Sequence, residues 1–150
     1  MNQFKVVVEE IEESDVITFI RVKTSDTSIG LIKSKRPKWL SVGDEVLCKF
    51  QEASVGISKD CPGKVSIENT LPVKLKKVRK NDTLCELTLQ SGLGDVISLI
   101  TSRAYDTLEL IEGCDANILL RGVDINLEPI LNNQQEALET ITSRIKDANE

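Results

Sequence analysis

The sequence predicts an all-β protein: two tandem five-stranded barrels of the oligonucleotide/oligosaccharide-binding type, followed by a C-terminal helix. Three observations predict it. The chain repeats itself, since Gly30-Leu31-Ile32-Lys33-Ser34-Lys35 and Val42-Gly43-Asp44-Glu45-Val46 return as Ser98-Leu99-Ile100-Thr101-Ser102-Arg103 and Glu112-Gly113-Cys114-Asp115-Ala116. The offset drifts from 67 residues at Asn2/Asn69 to 70 at Ala53/Val123, and the extra residues fall in loops, where insertions are tolerated. Hydrophobic residues make up 40% of the chain but aromatics only 3%, so the core must be built from Val, Ile and Leu, the material of strands.

In order along the chain, residues 4–11 and 16–23 are rich in β-branched residues and flank an acidic turn, Glu12-Glu13-Ser14-Asp15, which reads as a hairpin. A third strand fits 28–34. Lys35 to Leu40 is too short for more than a helical turn, and Ser41-Val42-Gly43-Asp44 turns the chain into strands at 45–51 and 53–58. The second copy repeats the order with strands at 72–79, 84–90 and 95–101, a short helix near 103–110, and strands at 115–121 and 123–129. Five strands with a short helix between the third and fourth is the element order of this barrel type. Ser58 to Lys64, with Pro62-Gly63 at its centre, joins the copies. The predicted units are therefore a first barrel over 1–60, a second over 64–130 and a helical tail over 131–150. In the tail, Asn132 and Asn133 supply a cap, while Ala137, Leu138, Ile141 and Ile145 form an apolar stripe. Units of about 60 residues bury only about 60% of their unfolded surface. The copies should therefore pack on each other or on a second subunit.

Charge and composition narrow the function. A net charge of −5 provides no broad cationic field for nucleic acid, and the absence of histidine removes the commonest transition-metal ligand and general base. Cys48, Cys61, Cys85 and Cys114 lack C-x-x-C spacing and read as reduced, mostly buried thiols of a cytoplasmic protein. No apolar run approaches the roughly 18 residues of a membrane span, so no membrane partner is expected. No nucleophile with a paired base stands out, and the chain does not read as an enzyme.

With the repeat laid out, the second copy resembles the Mop or TOBE module, the small molybdate-binding barrel of molbindins, molybdate-responsive regulators and molybdate transporter ATPases. The resemblance is carried by Ser66-Ile67-Glu68-Asn69-Thr70-Leu71, Leu99-Ile100-Thr101-Ser102, Leu108 to Gly113, and Leu119-Leu120-Arg121-Gly122-Val123. In the first copy, Asn2-Gln3-Phe4-Lys5 and Phe50-Gln51-Glu52-Ala53-Ser54-Val55 are similar to the same opening and closing segments. It covers roughly residues 2–129 and implies tandem Mop/TOBE barrels that bind molybdate, or tungstate, as an oxyanion. It also implies a homo-oligomer with sites at barrel or subunit interfaces. No helix-turn-helix precedes the first copy, so the chain by itself is not expected to bind DNA as a regulator.

The chemistry such a site requires can be stated independently. A tetrahedral dianion is held by backbone N–H groups and hydroxyls aimed at its oxygens. Charge-assisted hydrogen bonds are worth roughly 1.5–3 kcal/mol each, so some four to seven donors with one cation reach micromolar affinity, about −8 kcal/mol. Ser66, Thr101, Ser102, Arg121 and the Gly122 amide are the candidate donors, with Lys33 and Ser34 completing a site contributed mainly by a neighbour. Arg121 is the most specific of them, because a fixed guanidinium fork suits an oxyanion. The others have local alternatives: Ser66 and Ser102 can bond nearby backbone, Thr101 suits a strand, and Gly122 can relieve a bend. Glu68 stands where the family often has arginine, and Gln51 and Glu52 replace the lysine and small residue of the closing segment.

Two other readings compete. One is a ligand-free interaction module derived from the same fold, which Glu68, Gln51 and Glu52 favour. The other is a tandem barrel for single-stranded nucleic acid, favoured by the basic strand Lys74 to Lys80, yet Phe4, Phe19 and Phe50 fall at core strand positions, with Trp39 and Tyr105 scattered elsewhere. That basic strand reads as a solvated face, or as a surface for an acidic partner such as the Glu-rich first strand of another subunit.

Overall fold

Alternation of apolar and polar residues shapes both halves of the computed structural model, which describes residues 1–60 and 63–130. The first half supplies β1 (Asn2–Glu13), β2 (Thr18–Lys23), β3 (Ser28–Lys33), β4 (Glu45–Phe50) and β5 (Gly56–Ser58). The second supplies β6 (Asn69–Lys80), β7 (Leu84–Ser91), β8 (Gly94–Thr101), the helix α1 (Ser102–Thr107), β9 (Asp115–Leu120) and β10 (Asn126–Pro129). In β4 and β9 alternate residues are buried, so Val46, Cys48 and Phe50 face inward, as do Ala116, Ile118 and Leu120.

The strands form two antiparallel, curled five-stranded sheets of OB-like form, ordered β10-β4-β1-β2-β3 and β5-β9-β6-β7-β8. Each sheet takes its fifth strand from the other half of the chain. Gly56 to Ser58 pair with Leu119 to Asn117, and Asn126 to Pro129 pair with Lys49 to Val46. The segments expected as single strands, 53–58 and 123–129, are instead broken by 3₁₀ turns at Glu52–Ser54 and Gly122–Asp124. Val55 and Ile125, 1% and 0% exposed, are buried directly after those turns. Burying them leads each chain segment away from its own sheet and onto the other. Lys49 and Glu128, 2.6 Å apart, add an ion pair across the β4–β10 ladder. One apolar cluster, running from Val6 to Ile125, includes residues of both halves.

β3 and β8 are edge strands, whose unpaired backbone is a liability. Each is met by an asparagine from the opposite sheet. The Gly30 N–H donates to Asn69 Oδ1 at 2.7 Å, and Asn69 Nδ2 donates to the Gly30 and Leu120 carbonyls at 2.8 and 3.0 Å. In the same way the Ile97 N–H donates to Asn2 Oδ1 at 2.7 Å, and Asn2 Nδ2 donates to the Ile97 carbonyl at 2.8 Å. The predicted C-terminal helix lies outside the described residues.

Candidate functional site

Strand exchange creates two related corners, one where the turn at Gly122–Asp124 lies on β3 and one where the turn at Glu52–Ser54 lies on β8. The first corner carries Lys33 and Arg121 together with Glu68 and Asp124. A Cβ on Gly122 would lie 3.1 Å from the Gly30 carbonyl oxygen, 3.1 Å from Leu31 Cα and 3.3 Å from Ile32 N, so glycine is what lets the two backbones touch. Lys33 follows directly, half-buried, and its Nζ donates to Asn126 Oδ1 at 2.7 Å. Arg121 is exposed immediately before the turn. β3 of the first half and the Gly122–Asp124 turn of the second thus meet within one chain, with Lys33 tied to Asn126 just beyond that turn.

Glu68 enters the same corner. Its Oε2 accepts the Gly122 N–H at 2.9 Å. That hydrogen bond, with one from its own amide and a smaller attraction from Arg121, holds the Glu68 carboxyl below the usual glutamate range. A carboxylate therefore already sits on the backbone donor expected to serve an oxyanion. Burial lowers the pKa of Lys33, with a slight opposing pull from Cys48, and the same burial pushes the Cys48 thiol up to about 12.

The other candidates are placed elsewhere. Thr101 ends β8 and caps α1, its hydroxyl accepting the Ala104 N–H at 3.0 Å. Ser102 is buried, with its hydroxyl donating to the Asn81 carbonyl at 2.7 Å and its N–H to the Thr83 carbonyl at 2.9 Å. Thr101 thus closes the first turn of α1, and Ser102 holds the β8–α1 junction against the loop before β7. Ser66 is exposed on the segment leading into β6. Ser34 borders a groove with Lys35, Lys38 and Ser41, across from Glu13 and Asp15. Arg36 in that groove is committed to the Leu40 carbonyl, at 3.0 and 2.8 Å, and to Glu13 at 3.1 Å.

At the second corner Gln51 and Glu52 stand where the first has Arg121 and Gly122, and Thr101 stands where it has Lys33. Ser98 Oγ donates to the Val55 carbonyl at 2.7 Å there, tying β8 to the turn. The second corner therefore has no lysine or arginine at the positions of Lys33 and Arg121, and its Glu52 pairs with the Met1 amino group. Asn69 and Asn126 were not among the sequence candidates. Asn69 carried a signal, because it recurs at the position of Asn2, whereas Asn126 carried none.

Among the described residues no cluster of His, Cys, Asp or Glu could hold a metal ion, and no helix is long and apolar enough to cross a membrane. Phe50 is buried and Phe4 packs beside it with ring centroids 5.9 Å apart, while Phe19 is partly covered over Gly30. Those three rings are spent on packing.

The described strands superpose on a crystal structure of the cytoplasmic molybdate-binding protein ModG in a molybdate-bound form, with a TM-score of 0.80. The chain has the ModG fold. The match covers 86% of this chain and 96% of the ModG chain at 23% sequence identity, a level at which the likeness speaks to the fold. No protein-family model matches the sequence, and no curated protein matches it either. The ModG-like architecture thus emerges from topology, where the sequence alone offers only scattered short segments.

Proposed function

We propose that this chain is an intracellular, cytoplasmic oxyanion-binding protein for molybdate, and for tungstate by the same chemistry, acting in storage, homeostasis or sensing. The observation that carries this is the corner where the turn after Arg121 packs on β3, the strand that ends in Lys33, in the fold of a protein that binds molybdate. Two cations and an amide at a barrel junction suit a dianion even in a molecule of net charge −5. Ser66 completes the inventory from the adjoining segment, and Ser34 acts at the rim or in a homo-oligomer whose interfaces adjoin these corners, whereas Thr101 and Ser102 are held by their own junction.

Calorimetry with molybdate, tungstate and sulfate at matched ionic strength tests the proposal. Micromolar binding of the first two with sulfate much weaker supports it, and absence of heat with all three defeats it. Absence of heat would instead favour the second reading, an interaction module without a ligand. The Glu68 carboxylate on the Gly122 amide is the observation in favour of that reading, because it satisfies the donor internally.

A further inference from the structure

The two halves carry opposite charges at equivalent positions of an equivalent hairpin. Val8 and Leu75 mark the same place in the fold: each exchanges backbone hydrogen bonds with a glycine turn, Val8 with Gly43 and Asp44, Leu75 with Gly113 and Cys114. A bulge follows each, between Val8 and Glu10 and between Leu75 and Lys77. Beyond the bulge, β1 reads Glu9-Glu10-Ile11-Glu12-Glu13 and β6 reads Lys76-Lys77-Val78-Arg79-Lys80. All eight charged residues are exposed. Each tip also exposes an apolar side chain in equivalent register, Ile17 at 41% and Leu84 at 46%.

The ion-pair partners of these arms stay within their own halves. Glu10 and Glu13 pair with Arg21 and Arg36, while Lys76, Arg79 and Lys80 pair with Asp95, Glu86 and Asp106. Among the described residues Glu12 and Lys77 have no ion-pair partner, and no ion pair joins one arm to the other. Like charges crowded along one strand repel one another, and an oppositely charged strand of the same shape relieves both.

We infer that the acidic hairpin of one copy docks on the basic hairpin of a second copy of this chain. The contact uses two different surfaces, so it links copies either reciprocally in a pair or head to tail in a closed ring. Charge sets partner and orientation, and Ile17 and Leu84 supply the apolar contact at the tips. The inference is independent of the oxyanion reading.

Sedimentation velocity of the full chain tests it, in about 0.05 M and about 0.5 M salt, where screening differs severalfold. Wild-type chain should associate in low salt and loosen at least about tenfold in high salt. E10K/E12K and K77E/R79E should each associate at least about tenfold more weakly than wild type when alone, yet recover salt-sensitive association when mixed, since each supplies the arm the other has lost. Recovery on mixing shows that both variants are folded. A monomeric wild type in low salt, an assembly indifferent to salt and to both variants, or a mixture that stays monomeric overturns the inference.

Discussion

Arg121, Lys33 and Glu68 are the residues on which the functional reading turns, and they pull in different directions. R121M and K33M should each weaken molybdate binding by roughly 10- to 100-fold, the worth of one charge-assisted hydrogen bond, as read by calorimetry. E68Q should do the opposite. Glutamine keeps an acceptor for the Gly122 N–H but removes a like charge from the anion's neighbourhood, so affinity should rise roughly 3- to 10-fold. Unchanged affinity in E68Q would show that the carboxylate swings clear of the ion. Because the native carboxyl is held below its usual pKa, the contact is present at neutral pH and is lost as pH falls through that depressed value. The Gly122 amide resonance should therefore titrate with a midpoint below that of an ordinary glutamate. The cysteines make a separate point. Cys48 and Cys85 are fully buried, and burial raises both thiol pKa values, that of Cys48 to about 12. At pH 8 neither should react with a thiol reagent until the protein unfolds, whereas labelling of both in the native protein at the rate of a free thiol would refute that burial.

The short 3₁₀ turns and the asparagines that face them show what elements contribute beyond their residues. Gly122 rests against backbone atoms of β3 that cannot rotate away, so G122A should cost about 1–3 kcal/mol in urea unfolding. N69A should cost about 2–4 kcal/mol, because it strips the buried Gly30 N–H and C=O of their partners. Of these elements, the strands and α1 were legible in the sequence to within a few residues, since β-branched runs, turn residues and the repeat are signals of the sequence itself. The 3₁₀ turns were not, because residues 53–58 and 123–129 satisfy strand propensity equally well, and only the burial of Val55 and Ile125 breaks them. Thr101 and Ser102 illustrate the same limit at the site. Their types and positions suit an oxyanion, but Thr101 is engaged by the helix it caps and Ser102 by the loop at Asn81, which is distant in sequence.

At the scale of the whole molecule, reciprocal exchange of β5 and β10 makes each sheet incomplete without the other half. Unfolding should accordingly be a single transition. Leu87, fully buried in the second half, provides the test: L87A should lower stability by about 2–5 kcal/mol. It should also shift the fluorescence transition of Trp39, the chain's one tryptophan and a first-half residue, as far as it shifts circular dichroism. A Trp39 transition left in place would show that the halves unfold separately.

What the sequence by itself determined is the part governed by short-range rules: an all-β chain, its twofold internal repeat, the aliphatic core and the order of its strands. Each of these is written in alternation, turn residues and self-similarity, which act over a few positions at a time. The tertiary structure alone decided which sheet each closing strand joins. It also decided that the Gly122 turn lies on β3, that Lys33 reaches Asn126, and that Glu68 rests on the amide an anion would want. Those outcomes depend on contacts between residues tens of positions apart, selected by the joint burial of two half-cores, and no local pattern encodes such a choice.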